Sequence, residues 1–479
     1  MNHSILQYTI KYKKHIMKTK NRKELIMINK EISCNSCKYF INNISCSKYK
    51  KINEKIRNGE TICNEYNLQL NVCMDAVVGF AIGDAMGVPV EFKSREYLTR
   101  YPITEFIGYG TYNQPAGTWS DDTSLLIATI YGLKDASDIY GIANEMCNWY
   151  KYKKYTPLGK IFDVGLTTRK SILKMINGVD PLSAGSKSEN KNGNGSLMRI
   201  LPIAFILKDE QDIEKRKEFV YNVSALTHAN IISKIACHIY TEFVIQLLHH
   251  KSKEKAYDYI YTTLATYYKN NIDKNIYNKF ENIFDKTLLS MSRDKIKSTT
   301  FVIDTLESCF WSIFNSHSFE EAILTAVNLG DDTDTIGALT GGLAGIIYGY
   351  EKIPNEWKHG LMNELMITNA ANTLYEKTYN LDKYLFHHFI VKYGKTRDDA
   401  RKTLFYLKEY KDIYNEYLTH LRTSSFLDEN AIVVENYTAE MIKKITNLSD
   451  IGAYSYLIYL RKDPKNAKKY LNILKERQK

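Results

Sequence analysis

The sequence predicts an all-α protein with a compact multi-helix core. Apolar residues recur at helical spacing in several stretches, among them 76–86, 125–133, 231–248 and 336–348. Several helical stretches follow an Asp, Ser or Thr, the residues that cap helix N-termini, whereas alternating strand-like runs are scarce. With 479 residues, 44% of them hydrophobic and 25% charged, the chain is long enough to bury a sizeable core.

Changes in sequence texture divide the chain into four predicted segments. Residues 1–33 form a basic arm, and residues 34–70 form a short Cys-rich segment. Residues 71–379 carry the helical pattern and the acidic motifs described below, so we predict that they form the catalytic domain. Residues 380–479 are again helical in pattern and form a C-terminal extension.

The formal charge of +11 is concentrated at the two ends of the chain. Residues 1–72 hold 14 basic and 5 acidic residues, and residues 380–479 hold 19 and 13. The stretch between them holds 32 basic and 36 acidic residues. We expect the basic ends to be solvated flanks, and contact with nucleic acid or with a protein target is the alternative.

The sequence predicts no membrane-spanning segment. We find no apolar run of about 20 residues, the length that a bilayer requires. The basic N-terminus is followed by a run too short and too polar for the core of a signal peptide. We therefore expect a cytoplasmic protein with no membrane partner.

Half of the eight cysteines lie in the N-terminal segment, with the spacing C-x2-C-x8-C-x16-C, at Cys34, Cys37, Cys46 and Cys63. In a reducing compartment such a cluster favours metal over disulfides, and four thiolates could close a tetrahedral site around one structural Zn²⁺. Redox use and plain reduced thiols are the alternatives. The other four cysteines are scattered among apolar residues, as is typical of core cysteines.

The first acidic motif reads G-T-W-S-D-D-T and precedes an apolar helix, with Ser120, Asp121 and Asp122 at its centre. One acid at that position is explained as a helix cap that complements the helix dipole. Two adjacent carboxylates repel each other, so this pair calls for a cation.

The second acidic motif reads G-D-D-T-D-T and precedes a helix rich in small residues. It places Asp331, Asp332 and Asp334 beside the hydroxyl of Thr335. Glycines in the helix that follows would let it approach another helix closely, so the acids can be carried into a packed interior.

Both motifs supply oxygen ligands at helix N-termini, and neither contains a His or a Cys. Such hard ligands select Mg²⁺ or Mn²⁺ over zinc or copper. The two motifs together hold enough ligands for two ions, so we predict a centre with two Mg²⁺ or two Mn²⁺.

Two further acids stand in apolar surroundings, where an isolated charge is costly. Asp84 lies in a helix whose glycines at positions 79, 83 and 87 leave one face bare, and Glu91 follows Pro89. Asp84 is either a hydrogen-bonded structural residue or a functional one, whereas we expect a functional role for Glu91.

A stretch that reads N-G-N-G-S-L-M-R combines two glycines with amide and hydroxyl side chains before a helix. Such a loop can form a backbone nest for a phosphate or a carbonyl group, although Asn-Gly runs are also ordinary turns. It is not a P-loop, because no Lys follows the second glycine in the required register. His228 stands at the head of another helix, where a structural role is the usual one.

Five motifs in this order resemble those of the ADP-ribosylglycohydrolase family: G-x-x-x-G-D-A-x-G-x-x-x-E-F, W-S-D-D-T, N-G-x-x-M-R, T-H-A and G-D-D-T-D-T. The resemblance covers about residues 73–350. It implies a compact all-α fold, a binuclear Mg²⁺ or Mn²⁺ centre and an enzyme that removes ADP-ribose from modified groups. The Cys-rich segment and the last hundred residues lie outside the family pattern.

The resemblance also implies roles for individual residues. It makes metal ligands of Ser120, Asp121, Asp122, Asp332, Asp334 and Thr335. Glu91 resembles the family's mobile acid near the scissile bond, and Asp122 and Asp334 are further catalytic candidates. Substrate binding falls to Gly193, Asn194, Gly195, Ser196 and His228. Asp331 stands where many members carry Gly.

From the resemblance we expect a hydrolase that cleaves the bond at the anomeric carbon of the ribose, with an ADP-ribosylated protein or small molecule as substrate. Cleavage there passes through an oxocarbenium-like state, which metal-held ribose hydroxyls and an acidic residue can support. The alternatives are a reader that binds ADP-ribose without cleaving it and a Mg²⁺-dependent nucleotide phosphohydrolase.

Overall fold

The computed structural model describes residues 40–42, 45–46, 72–133, 138–249, 251–379, 389, 397–410, 412–414, 416–417, 433–446 and 448–476. The chain divides into two compact units, Met1–Gln69 and Leu70–Lys479. In the second unit the described residues are helical apart from connecting loops and isolated bridges. The predicted all-α class is therefore confirmed. The finer division into four segments stays a prediction.

The second unit consists of helices in the order α1 (Val72–Gly87), α2 (Arg95–Arg100), α3 (Asp121–Gly132), α4 (Ile139–Tyr152), α5 (Leu166–Ile176), α6 (Pro181–Ala184), α7 (Leu201–Leu207), α8 (Ile213–Ala225), α9 (Ile231–Leu248), α10 (Lys253–Tyr259), α11 (Ala265–Asn271), α12 (Lys274–Asn278), α13 (Glu281–Phe284), α14 (Thr287–Ser290), α15 (Val302–Phe314), α16 (Phe319–Val327), α17 (Thr333–Tyr348), α18 (Asn355–Gly360), α19 (Glu364–Tyr379), α20 (Arg397–Glu409), α21 (Ala439–Thr446), α22 (Asp450–Lys462) and α23 (Pro464–Glu476). Short 3₁₀ turns lie at Val88–Val90, Glu189–Lys191, Arg293–Lys295 and Tyr350–Lys352, and a π-helical turn at Ile260–Leu264 joins α10 to α11.

The described part of the first unit is a small antiparallel ribbon of β1 (Phe40–Asn42) and β2 (Ser45–Cys46). Cys34, Cys37 and Cys63 lie outside the described residues, and Cys46 is described only through its strand backbone. The zinc site at these four cysteines thus stays a prediction. Of the other cysteines, Cys147 is partly exposed, and the remaining three, at positions 73, 237 and 309, are buried and free, as expected of core residues.

Two stretches are long and apolar enough to cross a membrane by length and composition, a property that the sequence analysis did not find. They are Val72–Val90 and Ile231–Leu248, and 94% and 89% of these windows are buried inside the protein. Core helices of soluble proteins pass the same test, because a helix that is apolar all round can be enclosed by other helices. These two stretches are therefore core helices of the second unit.

The centre of the second unit is the pair α1 and α17, which cross with glycines in contact. A Cβ on Gly83 would lie 1.9 Å from the carbonyl oxygen of Gly337, and one on Gly79 would lie 2.3 Å from that of Gly341. Backbone therefore meets backbone along the crossing, as the bare face of α1 predicted. The close approach brings the start of α17 to the end of α1, and a Cβ on Gly87 would lie 2.4 Å from Cα of Asp334.

Helix α3 is held at both of its ends. Its C-terminal carbonyl groups lack intrahelical partners, as in any helix. The ammonium group of Lys377 in α19 donates to the carbonyl oxygens of Ile130, Tyr131 and Leu133, at 2.8 and 3.1 Å for the first two. The positive charge also suits the negative end of the helix dipole. At the other end, Ser120 caps α3 next to the acidic motif.

Candidate metal centre and ligand loop

The start of α3 is bonded directly to α1 through Asp84. Its carboxylate accepts hydrogen bonds from the backbone N–H of Ser120 at 2.9 Å, from that of Thr123 at 3.0 Å and from the Thr123 hydroxyl at 2.6 Å. Ser120 caps the helix, since its Oγ accepts from the N–H of Asp122 at 3.2 Å. Asp84 thus positions the first acidic motif, which is the structural role that the sequence left open.

The start of α17 carries the second motif on a loop with two left-handed residues. Gly330 has φ +84° and Asp331 has φ +59°. This conformation suits Gly and is tolerated by Asp and Asn. Asp331 is exposed, and its Oδ2 accepts from the hydroxyl of Ser298 at 3.2 Å. Asp332 and Asp334, in contrast, are 3% and 1% exposed.

The two motifs meet in one buried cluster. Carboxylate oxygens of Asp84, Asp122 and Asp334 lie within 4.8 Å of one another, and so do those of Glu91, Asp332 and Asp334. Asp334 belongs to both groups. Each group of three acids could hold a metal ion, and one carboxylate would be common to both.

Hydroxyl groups of both motifs face the same carboxylate. Oγ of Ser120 lies 3.2 Å from Oδ2 of Asp122, and Oγ1 of Thr335 lies 3.2 Å from the same oxygen. Asp121 is also buried, at 5% exposed, but it belongs to neither group of three. The structure thus brings together the predicted ligands Ser120, Asp122 and Thr335 and places Asp121 at their side.

Burial disfavours the charged forms of these acids. It raises the pKa of Asp84 to about 6, that of Asp332 to about 7 and that of Glu91 to about 10, and neighbouring carboxylates contribute to the last two. Burial and the surrounding acids also raise the pKa values of Asp122 and Asp334 well above the usual range. Within the described residues no Lys or Arg pairs with any of these five acids.

The residues of this cluster fit a divalent cation. The ligand set consists of carboxylate and hydroxyl oxygens, which Mg²⁺ and Mn²⁺ prefer. Oε2 of Glu91 and Oδ2 of Asp334 are buried without a hydrogen-bond partner in the described part of the chain. A bound cation would satisfy both atoms and favour the charged carboxylates.

Two residues that the sequence analysis missed stand beside Glu91. The hydroxyl of Tyr112 donates to Oδ1 of Asp163 at 2.5 Å, and both residues are close enough to Glu91 to alter its pKa. The charge of Asp163 also contributes to the raised pKa values of Asp121, Asp332 and Asp334. Asp163 has φ +52° in the loop between α4 and α5, so its placement depends on a turn and not on a motif.

The stretch at 192–196 forms a loop next to this cluster. The side-chain amide of Asn194 donates to Oδ2 of Asp332, and its backbone N–H donates to the carbonyl oxygen of Thr300 at 3.1 Å. Gly193 forms an isolated bridge with Phe301. Ser196 is fully buried, and its hydroxyl contacts Ser224 and Cys237. The Ser196 hydroxyl is therefore engaged inside the protein, so Ser196 would contact a ligand through its backbone and not through its hydroxyl. We call residues 192–196 the ligand loop.

His228 packs against the ligand loop. A Cβ on Gly195 would lie 2.9 Å from Cε1 of the imidazole, and one on Gly193 would lie 3.7 Å from its Nε2. A side chain at Gly195 would therefore collide with the ring, whereas a Cβ on Gly193 would make ordinary van der Waals contact with it. All five predicted substrate-binding residues lie together, and Asn194 joins them to the acidic cluster.

Comparisons with known proteins show the family to which this chain is similar. The family model for ADP-ribosylglycohydrolase matches residues 68–383. The chain is 30% identical over 308 residues to ADP-ribosylarginine hydrolase Tri1 of Serratia proteamaculans, which covers 64% of this chain and 79% of that protein. It is 27% identical over 289 residues to ADP-ribosyl-[dinitrogen reductase] glycohydrolase of Rhodospirillum rubrum, with 59% and 88% covered.

One solved structure, described as an ADP-ribosylglycohydrolase-related protein complex, shares the fold. The superposition has a TM-score of 0.54 at 24% sequence identity and covers 64% of this chain and 98% of that one. The shared part of the fold thus corresponds in extent to the part of the chain that the family model matches.

Proposed function

Because the chain belongs to the ADP-ribosylglycohydrolase family, we propose that it hydrolyses the bond between the anomeric carbon of ADP-ribose and a modified arginine side chain of a protein. The family membership supports the glycohydrolase activity. The arginine linkage is supported by the relative from Serratia proteamaculans, whose name states that specificity. A cytoplasmic location and target contact through the basic termini are part of the same proposal.

The observation that carries the proposal is the double role of Asp334. Two groups of three buried acids share this residue, and its Oδ2 has no partner among the described residues. We propose that Ser120, Asp121, Asp122, Asp332, Asp334 and Thr335 hold two Mg²⁺ or Mn²⁺ ions. When bound, these ions would supply positive charge to grip vicinal ribose hydroxyls and to orient a water molecule.

Glu91 is the residue best placed to act on the reacting atoms. It lies at the edge of the acidic cluster, is 3% exposed and leaves Oε2 without a partner in the described chain. In hydrolysis, water attacks the anomeric carbon, and the bond to the arginine nitrogen breaks with its electron pair going to that nitrogen. The water gives up one proton, which finally passes to the released guanidine. We propose that Glu91 accepts that proton or stabilises the positive charge that develops on the sugar. Tyr112 and Asp163 hold Glu91 in position.

The ligand loop would hold the rest of the substrate. Its backbone N–H groups and His228 are suited to the phosphate oxygens and the distal ribose, because nests of N–H groups bind anions. Asn194 contacts Asp332, so this loop and the acidic cluster bind the two ends of one ligand.

Product analysis by mass spectrometry tests the proposal. The purified protein is incubated with ADP-ribosyl-arginine and ADP-ribosyl-serine peptides, each with Mg²⁺ and with EDTA. We expect metal-dependent release of free ADP-ribose from the arginine peptide. Release from the serine peptide alone would overturn the linkage. Tight binding of ADP-ribose without release would indicate a reader, and release of phosphate or AMP would indicate a phosphohydrolase.

A further inference from the structure

Arg199, three residues after the ligand loop, is buried without a carboxylate partner among the described residues. Its side chain is 0% exposed. Nη2 donates to the carbonyl oxygen of Val223 at 3.1 Å and to Oγ1 of Thr227 at 2.9 Å. Its Nε and Nη1 have no hydrogen-bond partner in the described part of the chain. A buried positive charge of this kind is costly, so a specific task for Arg199 is expected.

The bond from Arg199 sets the direction of the next hydrogen bond. A guanidinium group has donors only, so Oγ1 of Thr227 must accept from it. The same Oγ1 lies 2.9 Å from Nδ1 of His228. The hydroxyl hydrogen of Thr227 can then be donated to Nδ1. In the opposite arrangement that hydrogen would have no acceptor among the described residues, although Thr227 is 0% exposed, and a buried donor without an acceptor is unfavourable.

A ring that accepts a hydrogen bond at Nδ1 carries its proton on Nε2 when it is neutral. His228 is neutral, because its burial and the charge of Arg199 lower its pKa to about 3. The Cε1–Nε2 edge is the one that faces Gly193 and Gly195. No protein group is hydrogen-bonded to Nε2 in the described residues, so this N–H is available to a ligand in the loop.

We propose that Arg199 and Thr227 are positioning residues, which fix His228 as a neutral Nε2–H donor to an anionic oxygen bound in the ligand loop. The proposal rests on the proposed function and deepens it, since it names the residues that prepare the phosphate side of the site. Neither positioning residue touches the ligand. A fixed tautomer means that the donor is already in place before the ligand arrives, so binding does not require the ring to change its protonation.

The test compares Thr227→Val, which keeps the shape of the side chain and removes the hydroxyl, with Thr227→Ser, which keeps the hydroxyl. The first readout is the ¹⁵N NMR spectrum of the protein labelled at histidine, in which His228 is assigned by difference with His228→Gln. In the unsubstituted protein we expect Nδ1 to be unprotonated and Nε2 protonated. We expect Thr227→Val to yield a mixture of tautomers and Thr227→Ser to restore the single one.

The second readout is the affinity for free ADP-ribose, measured by calorimetry, together with KM and kcat on the arginine peptide. We expect Thr227→Val to weaken ADP-ribose binding and to raise KM about tenfold, with a smaller change in kcat, since a ligand hydrogen bond is lost part of the time. Thr227→Ser should recover most of the affinity.

Each result decides the proposal. A proton on Nδ1 in the unsubstituted protein would overturn it, and this spectrum is informative even if Thr227→Val does not fold. Equal ADP-ribose affinity of Thr227→Val and Thr227→Ser would also overturn it. The proposed function fails separately, if the unsubstituted protein neither binds ADP-ribose nor releases it, and the tautomer of His228 is still read from the spectrum of the free protein.

Discussion

The side-chain amide of Asn194 donates a hydrogen bond to Oδ2 of Asp332, so the ligand loop and the acidic cluster are bonded to each other. The same amide donates to Oγ1 of Thr305 at 3.0 Å, which fixes its orientation. If the loop binds a ligand as proposed, that binding and the position of Asp332 should be coupled through this one side chain.

Replacing Asn194 by alanine tests this coupling. Asp332 would lose a buried donor, and a loss of this kind costs about 1–3 kcal/mol. We expect Asn194→Ala to weaken both Mg²⁺ affinity and ADP-ribose affinity by roughly 10- to 100-fold. Calorimetry with each ligand alone measures the two effects. The matched control is Asn190→Ala, since Asn190 is exposed and bonds only to Ser188 among the described residues. A change in ADP-ribose affinity alone would contradict the coupling.

Asp334 is expected to be indispensable for metal binding, whereas its neighbour Asp331 is not. Asp334→Asn removes the carboxylate that both groups of acids share. Asp331→Asn keeps a residue type that tolerates φ +59°, and Asp331 is exposed outside the cluster. In the unsubstituted protein, Mg²⁺ at 100-fold excess over its Kd should add about 2.7 kcal/mol to the free energy of unfolding. Thermal unfolding with Mg²⁺ and with EDTA should show this shift in Asp331→Asn but not in Asp334→Asn.

The crossing of α1 and α17 predicts that a single methyl group at its centre is not tolerated. The Cβ of Gly83→Ala would meet the backbone of Gly337 at 1.9 Å, and no side-chain rotation can relieve that contact. We expect a loss of about 3 kcal/mol or more in the free energy of unfolding, together with weaker Mg²⁺ binding. At Gly165 the nearest atom to a Cβ is Oγ1 of Thr168 at 3.9 Å, so Gly165→Ala should change stability by less than about 1 kcal/mol. Urea unfolding of both variants checks the difference.

Tyr112 is predicted to act on the rate more than on binding. Its hydroxyl bonds to Asp163 beside Glu91, and a hydrogen bond to a charged group contributes about 1.5–3 kcal/mol. Tyr112→Phe should therefore lower kcat about tenfold or more and change KM less. Tyr109→Phe in the same loop is the control, because Tyr109 is 71% exposed. A rise in KM with unchanged kcat would assign Tyr112 to substrate binding instead.

A buried ion pair remote from the acidic cluster sets part of the acid stability. Glu242 is fully buried, and burial alone would raise its pKa. Hydrogen bonds and charge interactions with the side chains of His238 and Arg216 outweigh burial and lower the pKa of Glu242 to about 2. Nε and Nη2 of Arg216 donate to the two carboxylate oxygens at 2.5 and 2.9 Å.

Because the pKa of Glu242 in the folded protein lies below the usual value of 4.5, its contribution is present above about pH 4.5 and is lost as the pH falls towards 2. The full contribution is on the order of 3 kcal/mol. Glu242→Gln should be less stable at neutral pH and should lose less stability between pH 4.5 and 2. Urea unfolding across this range measures it, with exposed Glu218→Gln as control. Parallel pH profiles of Glu242→Gln and the unsubstituted protein would contradict the prediction.

The all-helical class and the glycine faces of the two central helices could be predicted because they depend on local patterns, whereas the pairing of these two faces is seen only in the structure. The glycines of α1 at positions 79, 83 and 87 recur every four residues and so lie on one helical face. The second motif stands before a helix that is also rich in glycine, and the structure pairs these two faces. The acids of both motifs therefore converge as expected.

Asp163 and Tyr112 could not be found in the same way. Asp163 reaches the cluster through a loop in which Lys153, Tyr155 and Asp163 itself have positive φ. No periodicity encodes such a turn, and its side chains meet residues distant in the sequence.

The two apolar stretches at α1 and α9 were missed as candidate membrane spans, because each contains polar residues that interrupt the run. The structure shows both enclosed by other helices.

The contact between Gly87 and Asp334 fixes how the site can respond to ions of different size. A Cβ on Gly87 would lie 2.4 Å from both the nitrogen and the Cα of Asp334, so the two backbones are already as close as their atoms allow. The shared acid therefore cannot approach α1 when a smaller ion is bound. Contraction around a smaller ion therefore has to come from rotation of the carboxylate groups themselves. Exchange of Mn²⁺ for the smaller Mg²⁺ should then bring the start of α17 no closer to α1 and alter carboxylate torsion angles instead.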